Sequence, residues 1–260
     1  MVKKARVVVA LLVLCTLASS LYAQRGFRRG MSAPTLGQSA QGEPAEWTFA
    51  RLAYDSSGMR GGSWWVDYPG AEYHLSEAVD RLTLVDPHES GHVISPDDDA
   101  IFDYPWLYAV EPWSWSFSED QARRLREYFL RGGFMMVDDF HGEQEWTLFM
   151  TGLRKIFPDR AVEDIPAEDA INLMPYPITE RLQVPGPNYM WSGMTYERND
   201  GATPHWRGVR DENGRWVVVI SHNIDYGEGW EQANTPEYPE PFTRQAYEIG
   251  INYLIYSLTH

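Results

Sequence analysis

A strand–helix–strand unit in the middle of the chain constrains the fold more than any other segment. Residues 105–110 (PWLYAV) and 134–137 (FMMV) are short apolar runs, typical of strands that are buried on both faces. Between them, Ser118 followed three residues later by Gln121 has the pattern of a helix capping box, and the glycines at 132–133 can end that helix. The two strands are therefore predicted to be parallel neighbours in one sheet.

Strand and helix patterns alternate along much of the remaining chain. This alternation predicts an α/β fold, a three-layer sandwich with a mostly parallel sheet. Residues 161–215 are rich in Pro, Gly and Asn, so they are predicted to be mostly loop, with short strands around 171–173 and 189–191. The other predicted strands are 47–54 and 216–221, and the other predicted helices are 70–82, 146–156 and 243–258.

The N-terminal segment has the features of an export signal. Residues 1–23 combine a basic start with a short apolar run, as in a secretory signal peptide, and an uncleaved anchor is the alternative. Residues 24–46 are rich in Gly, Ser, Ala, Gln and Pro, which predicts a disordered tether before a single domain at 47–260. We therefore expect an exported protein, periplasmic or extracellular, whose mature domain is not inserted in the membrane.

Charge and cysteine content exclude several classes of function. The formal net charge is −15, which argues against nucleic acid or an anionic membrane as a partner. The one cysteine, Cys15, lies in the predicted signal peptide. The predicted domain therefore has no disulfide, no thiolate nucleophile and no cysteine ligand for a metal.

Residues His88-Glu89-Ser90-Gly91-His92 match the H-E-x-x-H pattern of zinc proteases. That pattern requires a helix, so that both imidazoles face one zinc ion. Pro87 and Gly91 disfavour a helix here, and we predict a loop leading into a short strand. Residues 97–99 (DDD) lack the spacing of a calcium loop and are predicted to be a turn that caps a helix.

Polar side chains follow four of the predicted strands. In an open α/β sheet, ligands bind beyond the carboxyl ends of the strands. Carboxylates gathered there suit general acid–base chemistry, and together with histidines they suit a divalent cation. In the alternative interpretation, Asp138 and Asp139 simply cap the next helix. The predicted rim consists of Asp55, Glu111, Asp138, Asp139, His141, His222, Asn223 and Asp225.

Aromatic residues accompany this rim. Trp113 and Trp115 alternate in the loop that follows a strand end, and aromatic faces beside carboxylates commonly hold sugar rings. Core packing is the alternative use of these side chains. A carbohydrate or another small polar ligand is the predicted partner, and the sequence indicates no cofactor and no defined metal site.

Several short motifs, taken in order, resemble the family called domain of unknown function 4159, over residues 47–258. That family is similar to the class I glutamine-amidotransferase-like fold, which includes the trehalose-utilisation proteins, and the resemblance implies a flavodoxin-like sandwich without a known activity. The motifs are FARLAYD (49–55), FDYPWLY (102–108), FS (117–118), GGFMMVDD (132–139), IFPD (156–159), SHN (221–223) and GEGWE (227–231).

The same resemblance places Asp138 and Asp139 where the amidotransferase relatives carry their nucleophilic cysteine, on a turn after a central strand. The chain has no cysteine there. Thiolate chemistry of the amidotransferase type is thus excluded, whatever the fold.

Three hypotheses for function follow from the sequence. The first is a binding protein for a polar ligand such as a carbohydrate. The second is a hydrolase that uses Asp138 or Asp139 with His141 or His222, with or without a metal ion. The third is a scaffold in a cell-envelope assembly, with the tether, which carries Arg25, Arg28 and Arg29, as the arm that contacts an envelope protein partner.

Overall fold

A computed structural model of the protein describes residues 45–56 and 64–260. The predicted signal peptide (1–23) and almost all of the predicted tether lie outside these residues. Within the described part of the chain, no helix has both the length and the apolar character needed to cross a membrane.

A seven-stranded sheet and a separate two-stranded ribbon form from the described strands. The order in the large sheet is β3-β1-β4-β6-β9-β8-β7, and the ribbon pairs β2 with β5. The strands are β1 (Ala50–Leu52), β2 (Asp55–Ser56), β3 (His92–Ile94), β4 (Trp106–Val110), β5 (Trp115–Ser116), β6 (Phe134–Phe140), β7 (Glu163–Asp164), β8 (His205–Arg210) and β9 (Trp216–His222).

The sheet is mostly parallel, as predicted. Strands β3, β1, β4, β6 and β9 pair in parallel, whereas β8 pairs antiparallel with both β9 and β7 at one side. The predicted neighbours β4 and β6 are in register from Trp106 opposite Phe134 to Val110 opposite Asp138. The carboxyl ends of the central strands therefore meet at one edge of the sheet, where the sequence predicts a site.

Helices cover both faces of the sheet. Alternate side chains of β4 and β6 enter two separate apolar clusters, one shared with α1, α5 and α6 and the other shared with α2 and α3. The prediction of an α/β fold is thus confirmed. The α-helices are α1 (Gly70–Leu82), α2 (Glu119–Leu130), α3 (Gly142–Ile156), α4 (Tyr189–Ser192), α5 (Tyr226–Glu231) and α6 (Glu240–Thr259), and short 3₁₀ turns lie at Asp99–Asp103, Pro112–Ser114, Ala170–Asn172 and Gln232–Asn234.

Helix α2 begins and ends as its sequence predicts. The Ser118 hydroxyl accepts the backbone N–H of Gln121, and the Gln121 side chain accepts the backbone N–H of Ser118, which completes the capping box. At the other end Gly132 has φ 102°, a left-handed conformation that glycine adopts at little cost. These two local signals account for the crossover between β4 and β6.

The segment 161–215 differs from its prediction. The two short strands predicted around 171–173 and 189–191 are wrong, because these residues form a 3₁₀ turn and the one-turn helix α4. The predicted loop also contains a real strand, β8, whose Arg and His residues hide the usual apolar alternation. Its partner β9 is a strong apolar strand, and pairing with β9 imposes the extended conformation on β8.

Candidate functional site

Asp138 lies at the carboxyl end of β6, the middle strand of the sheet, and is fully buried. Its Oδ2 accepts hydrogen bonds from the Tyr108 hydroxyl at 3.0 Å and from the Gly227 backbone N–H at 2.9 Å. Its Oδ1 is buried without a hydrogen-bond partner. Burial raises the pKa of Asp138 to about 7, although the hydrogen bonds to its charged form oppose that rise. This carboxyl group can therefore take up or release a proton at neutral pH.

Asp139 has a left-handed backbone, with φ 55°. The register between β6 and β9 shifts between Val137 and Phe140, so Asp139 lies on a bulge that breaks the alternation of the strand. Non-glycine residues adopt this conformation rarely, and such residues cluster at functional sites. The helix-capping interpretation is wrong for both aspartates, because the residue at the N-cap of α3 is His141, and Asn223 and Asp200 accept the first backbone N–H groups of the helix.

His141 is hydrogen-bonded to Asp139. The distance from His141 Nε2 to Asp139 Oδ1 is 3.0 Å, and the His141 backbone N–H donates to Glu145 Oε2 at 2.6 Å. Burial lowers the pKa of His141 to about 3, with smaller contributions from His222 and Arg198. The ring is therefore neutral at physiological pH, and its Nε2 is hydrogen-bonded to the Asp139 carboxyl group. His141 Nδ1 is buried without a partner.

Asp67 comes from the connection between β1 and α1, and it too has a left-handed backbone, with φ 62°. The buried guanidinium of Arg51, on β1, donates to the carbonyl oxygens of Trp64 at 3.1 Å and Val66 at 2.8 Å. Arg51 also forms an ion pair with the buried Glu72 of α1. These contacts hold the residues just before Asp67, whose own Oδ2 is buried and unpartnered.

Three separate segments of the chain bring carboxyl groups together. Asp67, Asp139 and Asp225 offer oxygen atoms that all lie within 4.8 Å of one another, and their residues are only 7%, 7% and 2% exposed. We call these three residues the aspartate triad. A second group, formed by Asp67, Glu228 and Glu231, meets the same criterion and shares Asp67 with the triad. Oxygen-only sets of this kind suit hard divalent cations such as Mg²⁺, Ca²⁺ and Mn²⁺.

The triad carries strongly perturbed protonation equilibria. Burial raises the pKa of Asp67, Asp139 and Asp225 well above the usual range, and neighbouring carboxylates raise it further. For Asp67 the neighbours are chiefly Glu228 and Glu231, and the opposing effect of Arg51 is smaller. Among the described residues, no Lys or Arg forms an ion pair with any member of the triad. The cluster is thus built of acids that only a cation or bound protons can neutralise.

The structure separates the predicted rim into two sets. Asp139 and Asp225 belong to the triad, and Glu111, Asp138 and His141 lie beside it; Glu111 has φ 45°, and its charge raises the pKa of Asp139. Asp55 is instead exposed on the two-stranded ribbon, opposite Ser116. His222 stacks on Phe140 and His205, and its Nε2 contacts the Gly142 carbonyl oxygen at 3.1 Å.

Three more of the predicted ligand-binding residues lie outside the triad: Asn223, Trp115 and Trp113. Asn223 joins three segments, because its Oδ1 accepts from the Gly142 backbone N–H and its Nδ2 donates to the Thr203 carbonyl oxygen. Trp115 is buried, stacks on Phe149 and donates its Nε1–H to the Phe149 carbonyl oxygen. Trp113 is half-buried.

Sequence reasoning missed four acidic residues of this region: Asp67, Glu197, Glu228 and Glu231. Glu197 is 4.0 Å from His141 Nε2, and its side chain is 28% exposed, so it lies towards solvent. The missed residues are not strand ends, since Asp67 lies in a loop and Glu228 and Glu231 lie on α5. The family motif GEGWE (227–231) contains both Glu228 and Glu231, but the motif alone did not indicate that they lie at the site.

The two other motifs of the sequence, at residues 88–92 and 97–99, have the loop and turn structures predicted for them. His88 lies in a loop, whereas His92 begins β3, is buried and stacks on Tyr104. The helix of a zinc protease is therefore absent at residues 88–92. Asp98 caps the 3₁₀ turn that follows it by accepting the Ala100 backbone N–H at 2.9 Å.

Comparison with known families gives one match, to the family described as Domain of unknown function (DUF4159), over residues 48–258. The chain belongs to this family. No curated protein matches it. The matched residues include the whole aspartate triad, Glu228 and Glu231, and the resemblance to DUF4159 noted in the sequence is confirmed.

Proposed function

We propose that this DUF4159 domain binds a divalent cation through the aspartate triad and uses that cation to hold a neutral, polyhydroxylated ligand of the carbohydrate class. One observation carries the proposal: oxygen atoms of three buried carboxyl groups, from three separate segments of the chain, lie within 4.8 Å of one another. The buried and unpartnered Oδ2 of Asp67 adds an independent reason, because an oxygen without a donor is a free ligand position.

Burial of several carboxyl groups together is unfavourable unless their charge is compensated. Without a cation, protons compensate it, and this is what the raised pKa values of the triad express. A divalent cation supplies two positive charges at one point and replaces those protons. The left-handed backbones of Asp67 and Asp139 are the local strain that such a prearranged site tolerates.

The charge of the region argues for a neutral ligand. Three aspartates around one divalent cation retain a negative charge, and Glu111, Glu197 and Glu231 lie at the solvent side. An anionic ligand would be repelled, whereas vicinal hydroxyl groups can complete the oxygen coordination of a hard cation. The half-buried Trp113 near the end of β4 supplies an aromatic surface of the kind that sugar rings stack on.

The proposal extends to fold and location. We place the domain among class I glutamine-amidotransferase-like, flavodoxin-like sandwiches, with the left-handed Asp139 at the position of their nucleophile. A carboxylate there can ligate a cation but cannot form a thioester. We also retain export as the proposed location, because residues 1–23 have the sequence features of a secretory signal peptide.

Cation binding is tested directly on the purified protein after treatment with EDTA. Isothermal titration with Ca²⁺, Mg²⁺ and Mn²⁺ should give saturable binding for at least one of them. Asp139→Asn should abolish that binding, while Asp55→Asn, at an exposed carboxylate of the two-stranded ribbon, should leave it unchanged. No binding of any of the three cations by folded protein would falsify the proposal.

The ligand class is tested next, by titrating a panel of envelope glycans into protein saturated with the cation that binds. We expect binding that disappears on adding EDTA. Binding that persists in EDTA would contradict a role for the cation, and binding of anionic glycans alone would contradict the charge argument.

Metal-assisted hydrolysis is a second candidate, and the hydrogen bond between His141 and Asp139 favours it. A neutral imidazole bound to a cation ligand can accept or relay a proton from cation-bound water. Turnover of a bound glycan that is lost in His141→Gln, with cation affinity retained, would select the hydrolase. Equal activity in Asp138→Asn, Asp139→Asn and the unmodified protein would exclude it.

A further inference from the structure

We infer that Asp67, Glu228 and Glu231 hold a second divalent cation, so that the site is a two-cation centre in which Asp67 is the shared ligand. This inference rests on the proposed function, since Asp67 is also a member of the triad. Ligand oxygens of these three residues lie within 4.8 Å of one another. Glu228 is 2% exposed, and its Oε1 is buried without a partner, so the second group also has a free ligand position.

One short segment supplies ligands to both positions. Asp225 accepts the Glu228 backbone N–H at 2.7 Å and thereby caps α5, while Glu228 and Glu231 are three residues apart and share one face of that helix. Asp225 is a member of the triad, and the two glutamates are members of the second group. The hydrogen bond from the Glu228 backbone N–H to Asp225 therefore fixes the spacing of the two cation positions.

The neighbours of Glu231 leave its carboxylate available. Gln232 donates to Glu231 Oε2 in a long contact of 3.3 Å, and burial raises the pKa of Glu231. The basic groups that face it are Arg51 and His74, and both have other partners: Arg51 is paired with Glu72, and His74 Nδ1 contacts the Trp230 carbonyl oxygen at 2.8 Å. Glu72 also faces it and adds negative charge.

Charge favours occupancy by two cations. The two groups together contain five carboxylates, so one divalent cation leaves three negative charges and two leave a single negative charge. Cations that share a carboxylate commonly lie about 3.5–4 Å apart, close enough for one ligand to contact both. The ligand class that fits is a neutral polyol, with adjacent hydroxyl oxygens that each coordinate one cation.

Manganese distinguishes one site from two, because neighbouring Mn²⁺ ions give an exchange-coupled electron paramagnetic resonance spectrum. For EDTA-treated protein we expect two Mn²⁺ per chain by isothermal titration and a coupled spectrum at saturation. Glu231→Gln should bind one Mn²⁺ with an uncoupled spectrum. Glu237→Gln, an exposed glutamate just beyond the same segment, should still bind two.

The outcomes separate the two proposals. One Mn²⁺ per chain in the unmodified protein, unchanged by Glu231→Gln and lost in Asp139→Asn, overturns the second site and supports the first. No Mn²⁺ binding overturns the proposed function itself. If Glu231→Gln does not fold by circular dichroism, Glu228→Gln replaces it, with the same expected fall from two Mn²⁺ to one.

Discussion

Gly227 shows how closely backbone and carboxylates approach one another in this site. Its N–H donates to Asp138, and a Cβ placed on it would collide with Asp67 Oδ2 and with the Tyr108 hydroxyl. Gly229, two residues further along α5, is also crowded, but its neighbours are Ala246 and Val184 in the apolar core. Substitutions at the two glycines therefore distinguish an effect on the site, at Gly227, from an effect on the packing of α5 alone, at Gly229.

Gly227→Ala is expected to weaken cation binding about 10- to 100-fold, the usual effect of displacing a group that orients a ligand. It should also lower the free energy of unfolding by about 1–3 kcal/mol through overpacking. Gly229→Ala is the control: it should destabilise the fold to a similar extent and leave cation affinity unchanged. Titration and urea denaturation of both variants make the comparison, and equal cation affinity in the two would contradict the assigned role of Gly227.

Arg51 is a buried cation that organises the loop before Asp67. Arg51→Met would leave Glu72 buried and unpaired, which should cost about 3–5 kcal/mol of unfolding free energy. The double variant Arg51→Met/Glu72→Leu should recover much of that loss, because no buried charge remains. Urea denaturation measures both, and Arg81→Met, at an exposed ion pair, should not move the midpoint. A double variant as unstable as the single variant would show that the loop contacts of Arg51 dominate.

Individual elements differ in how well the sequence predicts them. Helix α2 was predictable because Ser118, Gln121 and Gly132 act through contacts within a few residues. Strand β8 was not, since its own residues lack an apolar alternation and its extended form depends on pairing with β9, the strand that follows it. The same distinction applies to the site. Asp138 and Asp139 follow a recognisable strand, whereas Asp67 reaches the site through a loop that buried contacts of Arg51 position.

The capping box of α2 gives a test at the level of one element. Ser118→Ala removes the hydroxyl that accepts the Gln121 N–H and should cost about 1 kcal/mol of unfolding free energy. Cation affinity should not change, because α2 packs on the face of the sheet away from α5. Thermal denaturation with and without cation checks this, with Ser116→Ala, an exposed serine nearby, as the control. A loss no larger than that of the control would mean that α2 does not depend on its cap.

The whole molecule should lose stability as the pH rises when no cation is present. Carboxyl groups whose pKa is raised by folding bind more protons in the folded state than in the unfolded state, so stability falls as pH rises towards the folded pKa. Burial raises the pKa of Asp138 to about 7 and of Glu228 to about 8, and that of the triad well above its usual range. Burial lowers the pKa of His141 and His222 to about 3 and 4, so both rings are neutral in this range.

Thermal midpoints measured in EDTA should therefore decrease from pH 7 to pH 9. A saturating cation should remove most of that decrease, because it replaces the protons that are lost. Glu228→Gln should flatten the dependence in EDTA, since the pKa of Glu228 is raised to about 8 and the amide does not titrate. A midpoint that does not fall over this range in EDTA would show that the buried acids are ionised in the folded protein without a cation.

The order of the triad along the chain has a consequence for how the protein matures. Asp67 precedes α1, Asp139 belongs to β6 and Asp225 follows β9, so the three meet only when the sheet is assembled from β1 to β9. An incomplete chain offers scattered carboxylates with the weak affinity of single acids. The proposed cation would therefore bind only to chains whose sheet is complete. Where divalent cations are abundant, that binding shifts the folding equilibrium towards the complete sheet.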